Sequence, residues 1–329
     1  MHSQRLPMKW FKLIAINSVI LLLLLILIFA GGEVYYRYIY DDTDSFALAK
    51  TTKHWLKKHY RLNNFSMRDD QDYFPTIAKD ITRITFIGDS FTAGHGIEDV
   101  NNRFANILRN NKPDWEIQTF GVNGFDTGDQ IKLLADVLSQ GFQLDWVVLI
   151  YTLNDISDIT PAWKTIVQRL YYPENRPGFF IQNSWFANTL YYRFMGTTDD
   201  DISSYFNFVT GAYNSSIWDV HKNRLRQMQQ MVKSHGGRLL VVTFPFMHVT
   251  NNNSYRMIHE KLDFFWREQG IPHLDMSPVF QQYTPKELTV NRFDAHPNEF
   301  AHSLAATSIN AFITNEMLRN VDSGRGKEK

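Results

Sequence analysis

Short apolar stretches alternate with amphipathic stretches through most of the chain. The apolar stretches predict five strands, at residues 81–87, 115–122, 144–153, 237–245 and 272–277. Between them, apolar residues recur at helical spacing near residues 127–140 and 219–235, and in steps of four after Pro297. A run such as VVLI at 147–150 is typical of a strand that is buried on both faces. The alternation predicts an α/β fold with a parallel sheet covered by helices on both sides, and such sheets place their chemistry at the carboxyl ends of the strands.

A different pattern occupies residues 13–32, which are almost wholly apolar. Residues 13–30 include only Asn17 and Ser18 as polar members, and a run of this length can span the hydrocarbon core of a membrane. Basic residues precede the run and acidic residues follow it, an order that keeps residues 1–12 in the cytoplasm. We therefore predict a single-pass transmembrane anchor with the rest of the chain extracytoplasmic. A cleaved signal peptide is the first alternative and a buried core helix the second.

A charged and aromatic lead-in segment, residues 33–80, connects this anchor to the first strand. Its stretch KTTKHWLKKHYRL, residues 50–62, predicts a helix. A solvated connecting helix fits its short apolar face better than a basic helix on the membrane surface, which would place Trp55 and Tyr60 at the headgroups. At the other end of the chain, residues 319–329 read as a polar tail.

Composition excludes several classes of function. Lys plus Arg and Asp plus Glu number 34 each, so no overall positive field attracts nucleic acid, and we predict no nucleic-acid partner. The chain has no cysteine, which excludes disulfides, thiolate metal sites and a cysteine nucleophile. The chain lacks an H-E-x-x-H motif, and His296 and His302 are six residues apart, which does not suit one helical face. We therefore predict neither a metal nor a cofactor.

The stretch TFIGDSFTAGHG, residues 85–96, places Ser90 where the first strand ends. A serine on a tight turn out of a buried strand exposes its hydroxyl and can offer its backbone N–H to an oxyanion. The alternative is a serine that caps the following helix. A serine nucleophile needs a base held by an acceptor. His296, just before Pro297 at the start of the last helix, is placed to be that base and Asp294 to orient it, whereas a surface loop histidine is the alternative.

Two further polar features follow strands. Gly124 in the stretch VNG follows the second strand, and Asn154 in LND follows the third. A glycine lets a backbone N–H approach a substrate oxygen, and an asparagine amide can be aimed at the same point. Each feature alone is typical of a turn. Together with Ser90 they supply three donors for an oxyanion hole.

This order of motifs resembles the SGNH (GDSL-type) hydrolase superfamily, and most strongly its membrane-anchored bacterial members. GDSFTAGHGI looks like the first block of that superfamily, VNG the second, LND the third and DAHPN the last, and SMRDDQDY at residues 66–73 resembles its lead-in. The resemblance covers residues 81 to about 315. It implies a three-layer α/β/α flavodoxin-like sandwich with a central parallel sheet, preceded by one N-terminal transmembrane helix. It also implies Ser90 as nucleophile, His296 as base, Asp294 as its partner, and an oxyanion hole formed by Ser90, Gly124 and Asn154.

Three features depart from the pattern of the superfamily. Thr152 stands where the third block usually has glycine, which would narrow the acyl pocket. Asp294 precedes the histidine by two residues rather than three, which leaves a Ser-His dyad open. Residues 156–213 match no block and are dense in aromatic residues. We interpret them as an insertion that lines a cleft or packs on the membrane, with a helical subdomain that has its own core as the alternative.

The predicted protein is a serine esterase whose hydrolase domain, residues 81–318, lies in the bacterial periplasm or at the cell surface. It would remove O-acyl groups from an acylated small molecule, glycan or lipid through a covalent acyl-serine intermediate. One alternative is an O-acyltransferase that acts on a cell-surface or exported polysaccharide. The other is a non-catalytic, membrane-tethered binding module with the same fold.

Overall fold

Five parallel strands form the central sheet in the computed structural model, which describes residues 8–44, 48–171, 177–198, 200, 204–250 and 255–325. The strands are β1 (Thr82–Gly88), β2 (Trp115–Gly121), β3 (Trp146–Thr152), β4 (Arg238–Phe244) and β5 (His273–Asp275). Their spatial order is β2-β1-β3-β4-β5, which is the order of flavodoxin-like sheets. All five predicted strands are present, and the predicted parallel sheet is confirmed.

Helices and one short hairpin surround this sheet. The helices are α1 (Met8–Val34), α2 (Lys50–His59), α3 (Ser90–Ala93), α4 (Phe104–Asn111), α5 (Thr127–Ser139), α6 (Pro161–Tyr171), α7 (Phe179–Asn183), α8 (Trp185–Thr198), α9 (Tyr205–Tyr213), α10 (Ser216–Ser234), α11 (Arg256–Glu268), α12 (Ser277–Phe280), α13 (Pro285–Leu288) and α14 (Glu299–Arg325). The strands β6 (Thr289–Asn291) and β7 (Asp294–Pro297) pair in antiparallel fashion. This hairpin carries two of the predicted site residues to the start of α14.

Both faces of the sheet are buried, because alternate residues of each strand point to opposite sides. Val148 and Ile150 of β3 pack in the cluster that includes α4 and α14. Their neighbours Val147 and Leu149 pack in the cluster that includes α5, α10 and α11. The domain is therefore a three-layer α/β/α sandwich, as the resemblance implied.

The helix α1 extends away from these layers and continues as a π-helical turn, Tyr35–Ile39. The segment Lys9–Ile39 contains an 18-residue stretch with a mean hydropathy of 3.1, and none of that stretch is buried. The alternative of a buried core helix is therefore wrong. Length and composition fit a membrane span, and a signal sequence would meet the same criteria.

The lead-in segment packs closely on the domain. Trp55 of α2 is 2% exposed, and its ring contacts the rings of Tyr60 and His95. The membrane-surface interpretation is therefore wrong for Trp55, which is buried against the domain, while Lys53, Lys57 and Lys58 on the same helix are exposed. The guanidinium of Arg68 donates to the backbone carbonyls of Gly94 and Ile97. The lead-in thus braces the loop that follows Ser90.

The aromatic insertion, residues 156–213, divides into two parts. Val209, Ala212 and Tyr213 of α9 join the core of the domain, and the Tyr213 hydroxyl donates to the carbonyl of Leu153 at 2.9 Å. A separate core is therefore wrong for this part. The helices α7 and α8 instead contact α1, through Phe180 and Phe186.

The predicted boundaries at the chain ends are only partly described. Residues 1–7 of the predicted cytoplasmic terminus, parts of the insertion at 172–176, 199 and 201–203, and residues 326–329 of the predicted tail lie outside the described residues. The helix α14 continues to Arg325, so the chain stays helical past the predicted domain boundary at residue 318.

Candidate active site

The nucleophile candidate Ser90 lies at the carboxyl end of β1, an interior strand of the sheet. The strand ends at Gly88, where an added Cβ would lie 2.7 Å from the carbonyl oxygen of Ile150, so a larger residue does not fit. Asp89 caps α3, since its side chain accepts from the Phe91 N–H at 2.9 Å. The alternative in which Ser90 is the cap is therefore wrong. Ser90 is the first helical residue, a position whose backbone N–H has no acceptor within the helix.

The three residues predicted to act together lie in one hydrogen-bonded row. The His296 Nε2 lies 2.8 Å from the Ser90 Oγ. The His296 Nδ1 lies 2.5 Å from the Asp294 Oδ1, and the same oxygen accepts from the His296 backbone N–H at 3.0 Å. The two-residue spacing between acid and histidine therefore leaves the carboxylate within reach of the imidazole, because both residues belong to the short strand β7.

Electrostatics favour a charged Asp294 and a basic His296. Burial would raise the pKa of Asp294, but the charge of His296 and its hydrogen bond hold that pKa well below its usual value. Burial would lower the pKa of His296, but the Asp294 carboxylate more than offsets this and raises the pKa above its usual value. A base of this kind accepts a proton readily once it is neutral.

Sequence reasoning missed a second histidine behind the carboxylate. The His95 Nε2 lies 3.3 Å from the Asp294 Oδ2. The amide nitrogen of Asn123 lies 3.0 Å from the His95 Nδ1, and the Asn123 Oδ1 accepts from the Tyr60 hydroxyl at 3.1 Å. If the amide donates, His95 carries its proton on Nε2, the nitrogen that faces Asp294. Burial, together with the nearby His296, lowers the pKa of His95, which keeps it neutral. Its place in TAGHG, five residues after Ser90, was the available signal.

The predicted oxyanion donors lie in the loops on either side of Ser90. Gly88 pairs with Gly121 of β2 and with Ile150 of β3, so the carboxyl ends of the three strands are side by side. Gly124 has a φ of +79° and is exposed, and glycine adopts this conformation at little cost. Asn154 lies in the 3₁₀ segment Leu153–Ile159 that follows β3.

The insertion reaches this side of the site through one tyrosine. Burial raises the pKa of Tyr205, and the nearby side chains of Ser157 and Asn154 oppose this. The centre of its ring lies 4.3 Å from that of Trp163. Tyr205 thus contacts the side chain that the sequence assigned to the oxyanion hole. No local pattern predicts this contact, because Tyr205 lies 51 residues further along the chain than Asn154.

Thr152 lies beneath the serine rather than at an open pocket. It is 2% exposed, and its hydroxyl lies 2.8 Å from the Asp89 Oδ2 and 3.1 Å from the Asp155 Oδ1. A hydroxyl has one proton to donate, so it cannot satisfy two carboxylates at once. Burial raises the pKa of both acids, and the pKa of Asp155 lies well above its usual value. Burial thus favours the protonated form of these acids, and the Thr152 hydroxyl joins Asp155 to Asp89, the residue before Ser90.

Two groups of side chains have spacings that would suit a metal ion. The ligand atoms of His95, Asp294 and His296 lie within 4.8 Å of one another, as do those of Asp41, His59 and Glu98. In the first group the same atoms form the hydrogen bonds described above. In the second, Lys58 and His59 both contact the Asp41 carboxylate.

A second serine, histidine and aspartate meet at the edge of the sheet. The His259 Nδ1 lies 3.0 Å from both the Ser277 Oγ and the Asp275 Oδ1. The Ser277 Oγ also lies 3.2 Å from the His259 Nε2, so this serine approaches both imidazole nitrogens. At Ser90, by contrast, serine and acid contact opposite nitrogens of His296. This group offers a useful control for experiments on Ser90.

The fold and this site define an ester hydrolase of the SGNH type. Residues 86–304, more than half of the chain, match the GDSL-like Lipase/Acylhydrolase family, and the chain belongs to that family. It is a hydrolase that acts on ester bonds, so the non-catalytic alternative is set aside. No curated protein matches the chain.

Several solved structures are similar to this chain at low sequence identity. A member of the lipolytic G-D-S-L family from Veillonella parvula DSM 2008 is 13% identical, with a TM-score of 0.44 over 71% of this chain and 98% of its own. A putative lipolytic protein of that family from Desulfitobacterium hafniense DCB-2 is 15% identical, with a TM-score of 0.43 over 70% of this chain and 99% of its own. The acetyl xylan esterase AlAXEase is 14% identical, with a TM-score of 0.44 over 70% of this chain and 98% of its own. At this distance, the substrate has to be argued from the residues of this chain.

Proposed function

We propose that the protein is a membrane-anchored serine esterase that removes O-acyl groups through a covalent ester on Ser90. The observation that supports this most directly is the row of hydrogen-bond distances from Ser90 through His296 to Asp294. The Ser90 Oγ attacks the acyl carbonyl while the His296 Nε2 takes the hydroxyl proton. The tetrahedral intermediate collapses as His296 returns that proton to the leaving alcohol. Water then repeats the two steps and releases the acid.

The remaining predicted residues stabilise the charge that forms during attack. The backbone N–H groups of Ser90 and Gly124 and the side-chain amide of Asn154 would donate to the oxyanion. Asp294 stays ionised, because its pKa lies well below the usual value, and it stabilises the imidazolium of His296 as it forms. The contact with Tyr205 would hold the Asn154 amide in position between turnovers.

The anchor places this chemistry at a membrane. Residues 13–32 would span the bilayer, with residues 1–12 cytoplasmic and the hydrolase domain in the bacterial periplasm or at the cell surface. The apolar length and exposure of α1 support a span, and the order of charges around it supports the orientation. The substrate is accordingly an acylated small molecule, glycan or lipid that reaches the extracytoplasmic face.

Covalent labelling of the full-length protein in detergent micelles tests the mechanism. A fluorophosphonate probe should label the wild type, while Ser90→Ala and His296→Ala should both abolish the label. Ser277→Ala is the matched control, since Ser277 is a second serine that lies beside both a histidine and an aspartate, and it should label like the wild type. A folded wild type that resists labelling, or a label that survives Ser90→Ala, would contradict the proposal.

Product analysis distinguishes hydrolysis from transfer. With an acylated substrate alone, the esterase should release free acid. Adding a hydroxyl-bearing glycan should leave that yield unchanged. If the yield of free acid falls when the glycan is added, and acylated glycan accumulates, the protein is instead an O-acyltransferase.

A further inference from the structure

The end of the anchor helix is joined directly to the insertion. The Glu33 carboxylate accepts from the Ser184 hydroxyl at 2.8 Å and from the backbone N–H groups of Trp185 and Phe186 at 3.0 Å each, so it caps the N-terminus of α8. Such a cap satisfies N–H groups that have no acceptor within their own helix. The insertion is therefore held at a fixed height along α1.

That height lies within the apolar segment. Phe29 stacks on Phe180 of α7 at 5.5 Å between ring centroids, and it meets Phe186 edge-on at 5.6 Å. Because a helix rises about 1.5 Å per residue, Phe29 lies about 6 Å further into the anchor than Glu33. The helix α7 thus sits beside the last apolar turn of the predicted span.

Two adjacent phenylalanines of α7 form an exposed apolar surface. Phe179 is 83% exposed and Phe180 62% exposed. Two adjacent phenyl rings in water are unfavourable, and aromatic side chains are enriched where a span meets the headgroups. We call these two rings, beside Phe29, the α7 surface.

The helix α8, which packs on α7, makes contacts that lead to the β6–β7 hairpin, where Asp294 and His296 lie. Arg193 of α8 donates to Asp44 at 2.8 Å, and its guanidinium lies 3.9 Å from the ring centre of Phe293, the residue before Asp294. In the same loop, the amide of Asn291 donates to the Asp42 carboxylate at 2.9 Å. Asp42 follows the end of the helical segment, Ile39, by three residues, which span about 10 Å at most. The β6–β7 hairpin is thus bound to residues 42–44, which follow the end of the helical segment.

We propose that the α7 surface docks into the headgroup region of the bilayer beside the anchor, and that the site therefore receives acyl esters held at the membrane surface. We identify the occupant of the α7 surface as lipid because this surface is continuous with the predicted membrane span: α1 contacts α7 through Phe29. This inference depends on one part of the proposed function, namely that residues 13–32 span a membrane. It narrows the substrate to an ester that the membrane presents.

The absence of cysteine makes a depth measurement direct. Single nitroxide labels would be placed in the full chain, reconstituted in lipid nanodiscs, through Phe180→Cys, Val19→Cys and Phe264→Cys. Val19 lies in α1 and Phe264 in α11, and both side chains are more than half exposed. Collision with oxygen, which concentrates in lipid, is compared with collision with a water-soluble nickel complex.

The three labels separate the possible outcomes. Collisions with oxygen should dominate for the labels at positions 180 and 19. Collisions with the nickel complex should dominate for the label at position 264. A Phe180 label that behaves like Phe264, while Val19 lies in lipid, would overturn the docking. A Val19 label that also faces water would overturn both the proposed anchor and the docking that rests on it.

A second experiment tests the consequence for substrate. The double variant Phe179→Ser/Phe180→Ser should hydrolyse soluble 4-nitrophenyl acetate like the wild type. Its hydrolysis of a long-chain 4-nitrophenyl ester embedded in nanodiscs should fall about tenfold or more, since two large apolar side chains no longer hold α7 in lipid. Equal rates on the embedded ester would overturn the proposal. A wild type that hydrolyses neither ester would contradict the esterase, and the spin-label depth would then decide the docking.

Discussion

The contact between His95 and Asp294 offers the most informative single perturbation. Asp294 is 5% exposed, its Oδ2 lies 3.3 Å from the His95 Nε2, and this contact helps to lower the pKa of Asp294. His95→Leu removes that contact while keeping a side chain of similar size. The Oδ1 stays bonded to His296, but the carboxylate loses the group that fixes its rotation.

The expected size of the effect follows from the geometry. A hydrogen bond to a charged group contributes about 1.5–3 kcal/mol. Because 3.3 Å is long for such a bond, we take the lower figure. About 1.5 kcal/mol corresponds to roughly a tenfold fall in kcat/KM, at 1.36 kcal/mol for each factor of ten. KM should change little, since His95 is buried behind the acid.

The stability effect should depend on pH. Asp294 has a lowered pKa in the folded protein, so its contribution to the free energy of unfolding is present above the unfolded pKa of about 3.9 and is lost as pH falls through the folded pKa. The wild type and His95→Leu should therefore differ most in thermal midpoint near neutral pH, and the difference should shrink in acid.

The assay is steady-state hydrolysis of 4-nitrophenyl acetate by full-length protein in detergent, with thermal unfolding followed by circular dichroism. His95→Gln is the matched control, because its amide nitrogen can still donate to the carboxylate, and it should recover most of the lost activity. If folded His95→Leu keeps the kcat/KM of the wild type, or if Gln and Leu lower it equally, His95 does not position Asp294.

Three further outcomes are expected. Asp294→Asn should lower kcat strongly. Because the Asp294 carboxylate raises the pKa of His296, the acid limb of the pH-rate profile of this variant should shift to lower pH. An acid limb that does not shift would show that the charge of Asp294 does not act on His296. Asn154→Ala should lower kcat about a hundredfold or more, the usual cost of losing one oxyanion donor, while its circular dichroism spectrum stays unchanged. Full activity in this variant would remove Asn154 from the mechanism. Burial and the charge of Asp158 raise the pKa of Asp126 to about 7, so Asp126 favours folding at low pH and this contribution is lost as pH rises through 7. Asp126→Asn keeps a good helix cap and should raise the thermal midpoint more at pH 8 than at pH 5, whereas an equal shift would refute the assignment.

The layered sheet could be predicted from the sequence because its signals are local. A run such as residues 147–150 is apolar throughout because both faces of β3 are buried, and the amphipathic spacing in α5 and α10 follows from one buried face. The types of the proposed catalytic residues were also readable, since a serine at a strand end and a histidine before a helix each follow from short motifs. Such patterns depend on neighbours within a few residues.

Only the tertiary structure decided how these parts meet. Ser90 and His296 are 206 residues apart, and the distance between them depends on how the β6–β7 hairpin packs over the sheet. The burial of Trp55, the contact of His95 with Asp294, and the cap that Glu33 places on α8 each join segments that share no local pattern. Since hydrogen bonds and packing depend on atomic distances across the fold, no spacing along the chain determines them.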